Sequence, residues 1–218
     1  MATDLLRDED RTARARIRDA AIARFAEHGA AATSVKAIAA DVGVSPALVF
    51  HHFGSKQGLR AACDAYVLEV VGAQKRAAMR TGPQLDVFEA LRQEAQGPPV
   101  LAYLARMLVE GAEPAEGLVD GLVDVGVAAL EEGARSGLLR PVDEPRDLAV
   151  VLVLWSLGVL VLRDHAERLL GVDVTGAERG RYVRVAMQAL RGLFTEEAYE
   201  HGRRALAGEP HEKDDSDD

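Results

Sequence analysis

The 218-residue chain carries 26 Lys and Arg against 35 Asp and Glu, for a formal net charge of −9, and 48% of its residues are apolar. That apolar share supports a sizeable core and excludes wholesale disorder, and the length allows one large domain or a small one joined to a larger. Taken alone, the acidic total argues against a nucleic-acid partner, because holding phosphates needs Lys and Arg.

Other classes are excluded as cheaply. The single cysteine, Cys63, forms no intrachain disulfide and builds no thiolate metal site, which fits a reducing cytosol and a cytoplasmic location. The chain has no Asn and therefore no N-glycosylation site. Its first ten residues, MATDLLRDED, hold four acids and no apolar core of a secretory signal. The longest apolar stretch, Leu148 to Leu162, spans 15 residues with Ser156 and Gly158 inside it. A membrane-spanning helix needs roughly 20, so this stretch is expected to be a buried helix. Arg outnumbers Lys 22 to 4, a bias of GC-rich bacterial genomes.

The charge is unevenly placed. Residues 1–10 carry −3, residues 11–60 carry +5 and residues 61–218 carry −11. A basic segment of fifty residues ahead of an acidic body is the mark of a nucleic-acid module. Residues 1–10 are expected to be a disordered lead, and 208–218, with six acids and one base, a disordered acidic tail.

Between them the pattern is helical. Apolar residues recur at three- and four-residue intervals, as in Ile17, Ala20, Ala21 and Phe25, and again in Tyr182, Val185, Met187, Leu190 and Phe194. Glycines and prolines at Gly29, Gly43, Gly54, Gly82-Pro83, Gly97 to Pro99, Pro114, Gly137 to Pro145 and Gly171 to Gly176 divide the chain into about nine helices. The first three are expected to be short, and the fourth to run from Ser55 to about Arg80.

The segment from Thr33 to Lys56 is the most informative. Thr33 or Ser34 can cap a short helix with Val35, Ile38, Ala39 and Val42 on its inner face, and Gly43 can end it in the left-handed conformation. Ser45-Pro46 starts the next helix, serine as the cap and proline at the first helical position. Two short helices joined by a glycine turn predict a helix-turn-helix. In the second, Leu48, Val49, His52 and Phe53 fall on one side, and Pro46, Ala47, Phe50, His51 and Gly54 on the other. The second set suits a helix laid in a major groove. Ser55 then caps a further helix with Lys56 in its first turn, where backbone N–H groups and the ammonium can hold a phosphate.

These residues resemble the DNA-binding domain of the TetR family of bacterial transcriptional repressors. The likeness lies in Ile17, Ala20-Ala21, Phe25 and Gly29, then Thr33-Ser34-Val35, Ile38-Ala39, Gly43-Val44-Ser45, and Phe50, His52-Phe53, Ser55-Lys56 and Leu59, about a quarter of the chain. The resemblance implies an all-α homodimer with an N-terminal three-helix DNA-binding domain (11–55) and a larger C-terminal helical ligand-binding and dimerisation domain (56–207). The function it implies is a regulator, as a repressor released from a double-stranded DNA operator by a small hydrophobic or aromatic effector or, the coupling reversed, one whose ligand promotes binding, with the fourth helix as the lever between the two domains.

Two positions depart from the family pattern. Phe50 stands where the family commonly has tyrosine, whose hydroxyl is a phosphate donor, and Gln57 stands where glutamate is frequent. The recognition helix also lacks Arg, Asn and Gln, which make bidentate base contacts. The expected DNA-binding residues are therefore Ser34, Lys36, Ser45, Pro46, Ala47, Phe50, His51, His52 and Lys56: Lys36, Ser45 and His51, with Pro46 or Ala47 against thymine methyls, read the bases, Phe50 either packs beside the DNA backbone or meets a base, and phosphate contacts and DNA shape supply much of the rest. His52 either packs or holds a phosphate. Arg11, Arg14, Arg16 and Arg18 either reach the DNA or form a solvated basic face.

In the body, Arg146 to Leu170 and Ala177 to Leu206, or part of the latter, sit where the family forms its dimer bundle. The first is apolar nearly all round between Leu148 and Leu162, as a helix must be when it touches both its own core and a partner. Phe88, Tyr103, Met107, Leu122, Trp155 and His165 are candidate effector contacts, each with plain core or surface packing as the alternative. No nucleophile elbow, phosphate loop, dinucleotide fingerprint or HExxH zinc motif is present, and the six histidines show no metal-ligand spacing. The sequence therefore points to no enzyme, no cofactor, no metal and no membrane segment.

Overall fold

The computed structural model describes residues 2–84, 99–110, 112–174 and 179–207, with the side chains of 2–11, 112–115 and 207 set aside. Ten α-helices are found among the described residues: α1 (Ala2–His28), α2 (Val35–Val42), α3 (Pro46–Phe53), α4 (Lys56–Arg80), α5 (Val100–Val109), α6 (Ala112–Arg135), α7 (Pro145–Val161), α8 (Arg163–Leu170), α9 (Gly180–Ala189) and α10 (Glu196–Ala207). The described chain is all-helical, the one β feature being an isolated antiparallel bridge between Leu139 and Phe194.

Three expectations change. First, α1 is not short and does not begin near Arg11. Its backbone is helical back to Ala2, through the segment expected to be a disordered lead. Second, the late apolar helix ends at Val161, and the charged residues from Arg163 form a separate α8 in which nothing is buried. Third, the last expected helix is interrupted between Ala189 and Glu196. There the Leu193 carbonyl accepts the Arg140 N–H at 2.8 Å, and the Thr195 N–H donates to the Leu138 carbonyl at 3.2 Å. Residues committed to cross-chain pairing cannot also serve a helical ladder. Thr195 restarts the helix, its hydroxyl accepting the Ala198 N–H at 3.4 Å.

The described chain forms two compact units, each with its own apolar interior. The first is built from Met1–Val71, Gly97–Val123 and Val153–Val161. In it α1 packs on α2 and on α5, and one cluster joins Ile17, Ile22 and Phe25 of α1 with Ile38, Val49, Leu59 and Val67 of the next three helices. Tyr103, Leu104 and Met107 of α5 and Leu118 of α6 close the same cluster. The Phe25 and Tyr103 rings lie 6.4 Å apart at 45°. The second unit comprises Gly72–Gln96, Asp124–Leu152 and Leu162–Asp218. Here the Ser136 hydroxyl donates to the Met79 carbonyl at 2.7 Å, and the Thr195 hydroxyl to the Gly137 carbonyl at 2.8 Å.

A polar tie lies inside the first unit. The Tyr103 hydroxyl, fully buried on α5, donates to the Asp64 carboxylate of α4 at 2.5 Å, and Arg60 Nε stands 3.8 Å from the other carboxylate oxygen. Burial pushes the Asp64 carboxyl above the usual carboxylate range, an effect that the tyrosine hydrogen bond and the Arg60 charge only partly offset. Burial, then the bond to Asp64, pushes the Tyr103 phenol upward. Because folding raises the Asp64 value, the group favours the native state at low pH, and that contribution is lost as pH rises through the folded value.

Tyr103→Phe strips the carboxylate of its donor and is expected to destabilise the fold by about 1–3 kcal/mol, read by urea denaturation. Asp64→Asn keeps an acceptor and removes the buried charge, so it costs less. Between about pH 7 and pH 4, wild type should gain stability relative to Asp64→Asn. Parallel pH profiles would show that Asp64 is not held above its ordinary range.

Candidate nucleic-acid interface

The two short helices are defined by local chemistry. Ser34 caps α2, its hydroxyl oxygen accepting the Ala37 N–H at 3.1 Å. Thr33, the alternative cap, is buried, and its hydroxyl donates to the Gly29 carbonyl at 2.7 Å. Gly43 ends α2 at φ 74°, where a side chain would be strained, and its N–H returns to the carbonyls of Ala39 and Ala40. Ser45 caps α3 by accepting the Leu48 N–H at 3.2 Å with Pro46 behind it, and Ser55 caps α4 by accepting the Gly58 N–H at 2.9 Å. A capping hydroxyl spends a lone pair and keeps its own proton for donation.

The faces of α3 separate as the spacing predicts. Val49 is buried, and Leu48, His52 and Phe53 are half-buried. Pro46, Ala47, Phe50 and His51 stand in solvent, Phe50 with 47% of its surface exposed. Ser34, Lys36 and Ser45 are exposed as well, so α2 and α3 present one polar hydroxyl cap each beside an apolar and imidazole-bearing surface. The His51 and His52 rings meet edge-on at 5.6 Å, and His52 in turn meets Phe53 at 6.1 Å. His52 thus takes part in packing, the alternative weighed for it above.

The basic residues of α1 have structural employment. Arg14 lies over the Phe53 ring, 5.2 Å from its centroid, and Arg16 donates to the Val42 carbonyl at 2.9 Å. Arg18 is stacked 3.4 Å over the Tyr66 ring and pairs with Asp19 at 2.7 Å. These three contacts fix α1 against α2, α3 and α4, so Arg14, Arg16 and Arg18 are not simply a solvated face. The side chain of Arg11 lies outside the described residues.

Arg24 and Asp41 form a two-pronged pair across α1 and α2, with Nη2 to Oδ1 at 2.8 Å and a second contact through Nε to Oδ2. The pairing holds the Asp41 carboxyl below its ordinary range and the guanidinium above its own. Seventeen residues of separation leave no local spacing from which this pair is legible. Lys56 is half-buried at the start of α4 and donates to the Ala31 carbonyl at 3.3 Å. Its ammonium therefore sits beside the turn between α1 and α2, close to the capped start of its own helix.

The six candidate effector residues do not form one set. Tyr103, Met107 and Leu122 are buried together in the core of the first unit, Tyr103 with its hydroxyl committed to Asp64. Trp155 is exposed on α7, and His165 is exposed on α8 in the second unit. The ion pairs beside His165 are made by Arg163, with Asp164 at 3.6 Å and Glu167 at 3.5 Å. Phe88 lies outside the described residues. Cys63 is buried in α4, where desolvation pushes its thiol up to about 12, so it is not a thiolate nucleophile at neutral pH.

Comparison with known proteins places this geometry. Residues 17–63 match the family described as bacterial regulatory proteins, tetR family, and residues 95–199 match the tetracyclin repressor-like C-terminal domain. The chain is 40% identical over 157 residues to the HTH-type transcriptional regulatory protein RaaS of Mycobacterium tuberculosis, covering 72% of this chain and 74% of that one. Two solved structures share the fold. A gamma-butyrolactone receptor described as ArpA-like has a TM-score of 0.58 at 20% identity, over 92% of this chain and 97% of the other. The protein CprB of Streptomyces coelicolor, solved in complex with its operator sequence, has a TM-score of 0.51 at 19% identity, over 92% and 99%.

Proposed function

This chain belongs to the TetR family of transcriptional regulators, and from that premise we propose that it is a homodimeric repressor released from its operator by a small hydrophobic or aromatic effector. The observation that carries the reading is the outer face of α3. Pro46, Ala47, Phe50 and His51 stand exposed on a helix whose opposite face is packed, in a segment of net charge +5. A packed scaffold that holds one short helix outward is the geometry of major-groove reading. Residues 11–55 would form the DNA-binding domain and 56–207 the effector and dimer region.

Roles within the interface follow from chemistry. Lys56 and the hydroxyls of Ser34 and Ser45 are suited to phosphate oxygens, and Lys36 is an exposed cation beside them. His52 is assigned to phosphate as well as to packing. His51 is the one hydrogen-bonding side chain on the exposed face of α3, while Pro46, Ala47 and Phe50 offer apolar contact, which in a major groove means the thymine methyl. No single helix among the described residues is long and apolar enough to cross a membrane. The proposed action on DNA goes with a cytoplasmic location.

The dimer reading draws on α7, where Val151 is 60% exposed, Leu154 58% and Trp155 37%. The positions 151, 154, 155 and 158 share one side of the helix, and a Cβ added at Gly158 would meet nothing within 4 Å. Large apolar side chains left in water along one helix mark a surface that another chain covers. Tyr103 and Met107 of α5 and Leu122 of α6 are the effector candidates that the fold brings together.

Binding to DNA selected by the protein from a random pool should weaken roughly tenfold or more between about 50 and about 200 mM salt. The absence of a salt-sensitive gel shift would overturn the operator reading in favour of a protein-contact role for the helix-turn-helix. Lys56→Ala is expected to weaken binding to all sequences about equally, whereas His51→Ala should change the preference among sequences. If both variants lose binding uniformly, the division between phosphate and base contacts fails. Leu154→Glu should shift the protein from dimer to monomer in sedimentation velocity while leaving the helical signal intact; an unchanged dimer removes α7 from the interface.

A further inference from the structure

The turn between α1 and α2, residues 29–34, carries Ser34, the cap of α2, at its end and the ammonium of Lys56 at its middle. Three of its backbone groups are tied by side chains. The Gly29 carbonyl accepts the Thr33 hydroxyl at 2.7 Å, the Ala31 carbonyl accepts Lys56 Nζ at 3.3 Å, and the Ala30 N–H donates to Glu110 Oε2 at 2.8 Å. The first two ties are local to α1, α2 and the start of α4. The third arrives from the C-terminal end of α5, eighty residues further along the chain.

The site for this carboxylate is built. Gly29 turns at φ 84°, and a Cβ at that position would overlap the Glu110 carboxylate, so the lack of a side chain there both permits the turn and admits the acid. One helical turn before Glu110, Arg106 Nε stands 3.8 Å from Oε1, near enough for charge attraction and too far for a hydrogen bond. The Glu110 side chain is only 23% exposed, so its bond to the Ala30 N–H is charge-assisted and partly shielded from water. On the same face, one and two helical turns earlier, this helix carries Met107 and Tyr103 into the core, with Tyr103 bonded to α4.

We propose that Glu110 is a positioning residue for DNA binding, which transmits the position of α5 to the turn that sets the α2 cap and Lys56. The role rests on the operator-binding reading above. A shift of α5 moves Glu110 relative to Ala30, and the turn then loses one of the two side-chain ties that reach it from outside α1 and α2, the other being Lys56 on the neighbouring carbonyl. Control of DNA affinity in this chain thereby has a second route beside α4, running from the buried face of α5 through one carboxylate into the helix-turn-helix.

The test compares Glu110→Ala, Glu110→Gln and Ser136→Ala in the full chain, using a duplex that the wild-type protein selects from a random pool. Glu110→Ala should speed amide exchange at Ala30 and weaken duplex binding roughly three- to tenfold. Glu110→Gln still offers an oxygen to the Ala30 N–H and should bind within about twofold of wild type. Ser136→Ala removes a hydroxyl tied to the Met79 carbonyl in the second unit, and should leave binding unchanged. Faster exchange at Ala30 with unaltered binding overturns the proposal, as does equal weakening by Ser136→Ala, which would mark a general loss of stability. In both cases wild-type binding persists and the operator reading stands. A wild-type protein that selects no duplex overturns that reading and the role of Glu110 together.

Discussion

The packing of α1 against α5 is the contact on which the rest of the first unit depends. Ile17, Ile22 and Phe25 are fully buried, and part of what buries them is Tyr103, Leu104 and Met107 from a helix that follows much later in the chain. A three-helix segment of some fifty residues buries little apolar surface by itself, so closing its core with α5 contributes directly to its stability. The consequence reaches beyond stability. The helix-turn-helix and α5 share one interior, and a close-packed interior passes displacement on rather than absorbing it.

Polar groups placed in and around that core acquire meaning from it. The Tyr103–Asp64 bond is shielded, so its loss leaves a carboxylate without a donor in a medium that solvates it poorly. The Arg24–Asp41 pair lies at the surface, where solvent screens its energy and its two-pronged geometry serves mainly to hold α2 in register with α1. Arg14, Arg16 and Arg18 act in the same way by stacking or by closing a helix end. Much of the positive charge in residues 11–60 is therefore also scaffold. It still contributes a local positive field, against a body of net negative charge.

Features that depend on a few neighbouring residues were legible before any coordinates. The caps at Ser45 and Ser55, the left-handed stop at Gly43, the two faces of α3 and the span of α4 all follow from side-chain chemistry acting over one helical turn. Where Thr33 and Ser34 were equivalent as caps, the choice was made by burial: Thr33 turns inward to the Gly29 carbonyl, leaving Ser34 to the helix. The last long helical span is divided for a related reason. The periodicity through Leu190 and Phe194 is helical, and only the pairing of Leu193–Thr195 with Leu138–Arg140 forces the chain to extend there.

The sequence by itself determined the helical architecture, the helix-turn-helix and the outward set of Pro46, Ala47, Phe50 and His51, because each rests on periodicity or capping within about eight residues. Tertiary structure alone decided that Tyr103 meets Asp64, that Arg24 meets Asp41 and that Glu110 reaches the turn at Ala30. It also separated His165 from the buried residues with which it had been grouped. Such contacts join positions 17 to 80 residues apart, and nothing in local spacing encodes them. They exist only because burying the apolar faces of α1, α4 and α5 in one core brings those side chains within hydrogen-bond reach.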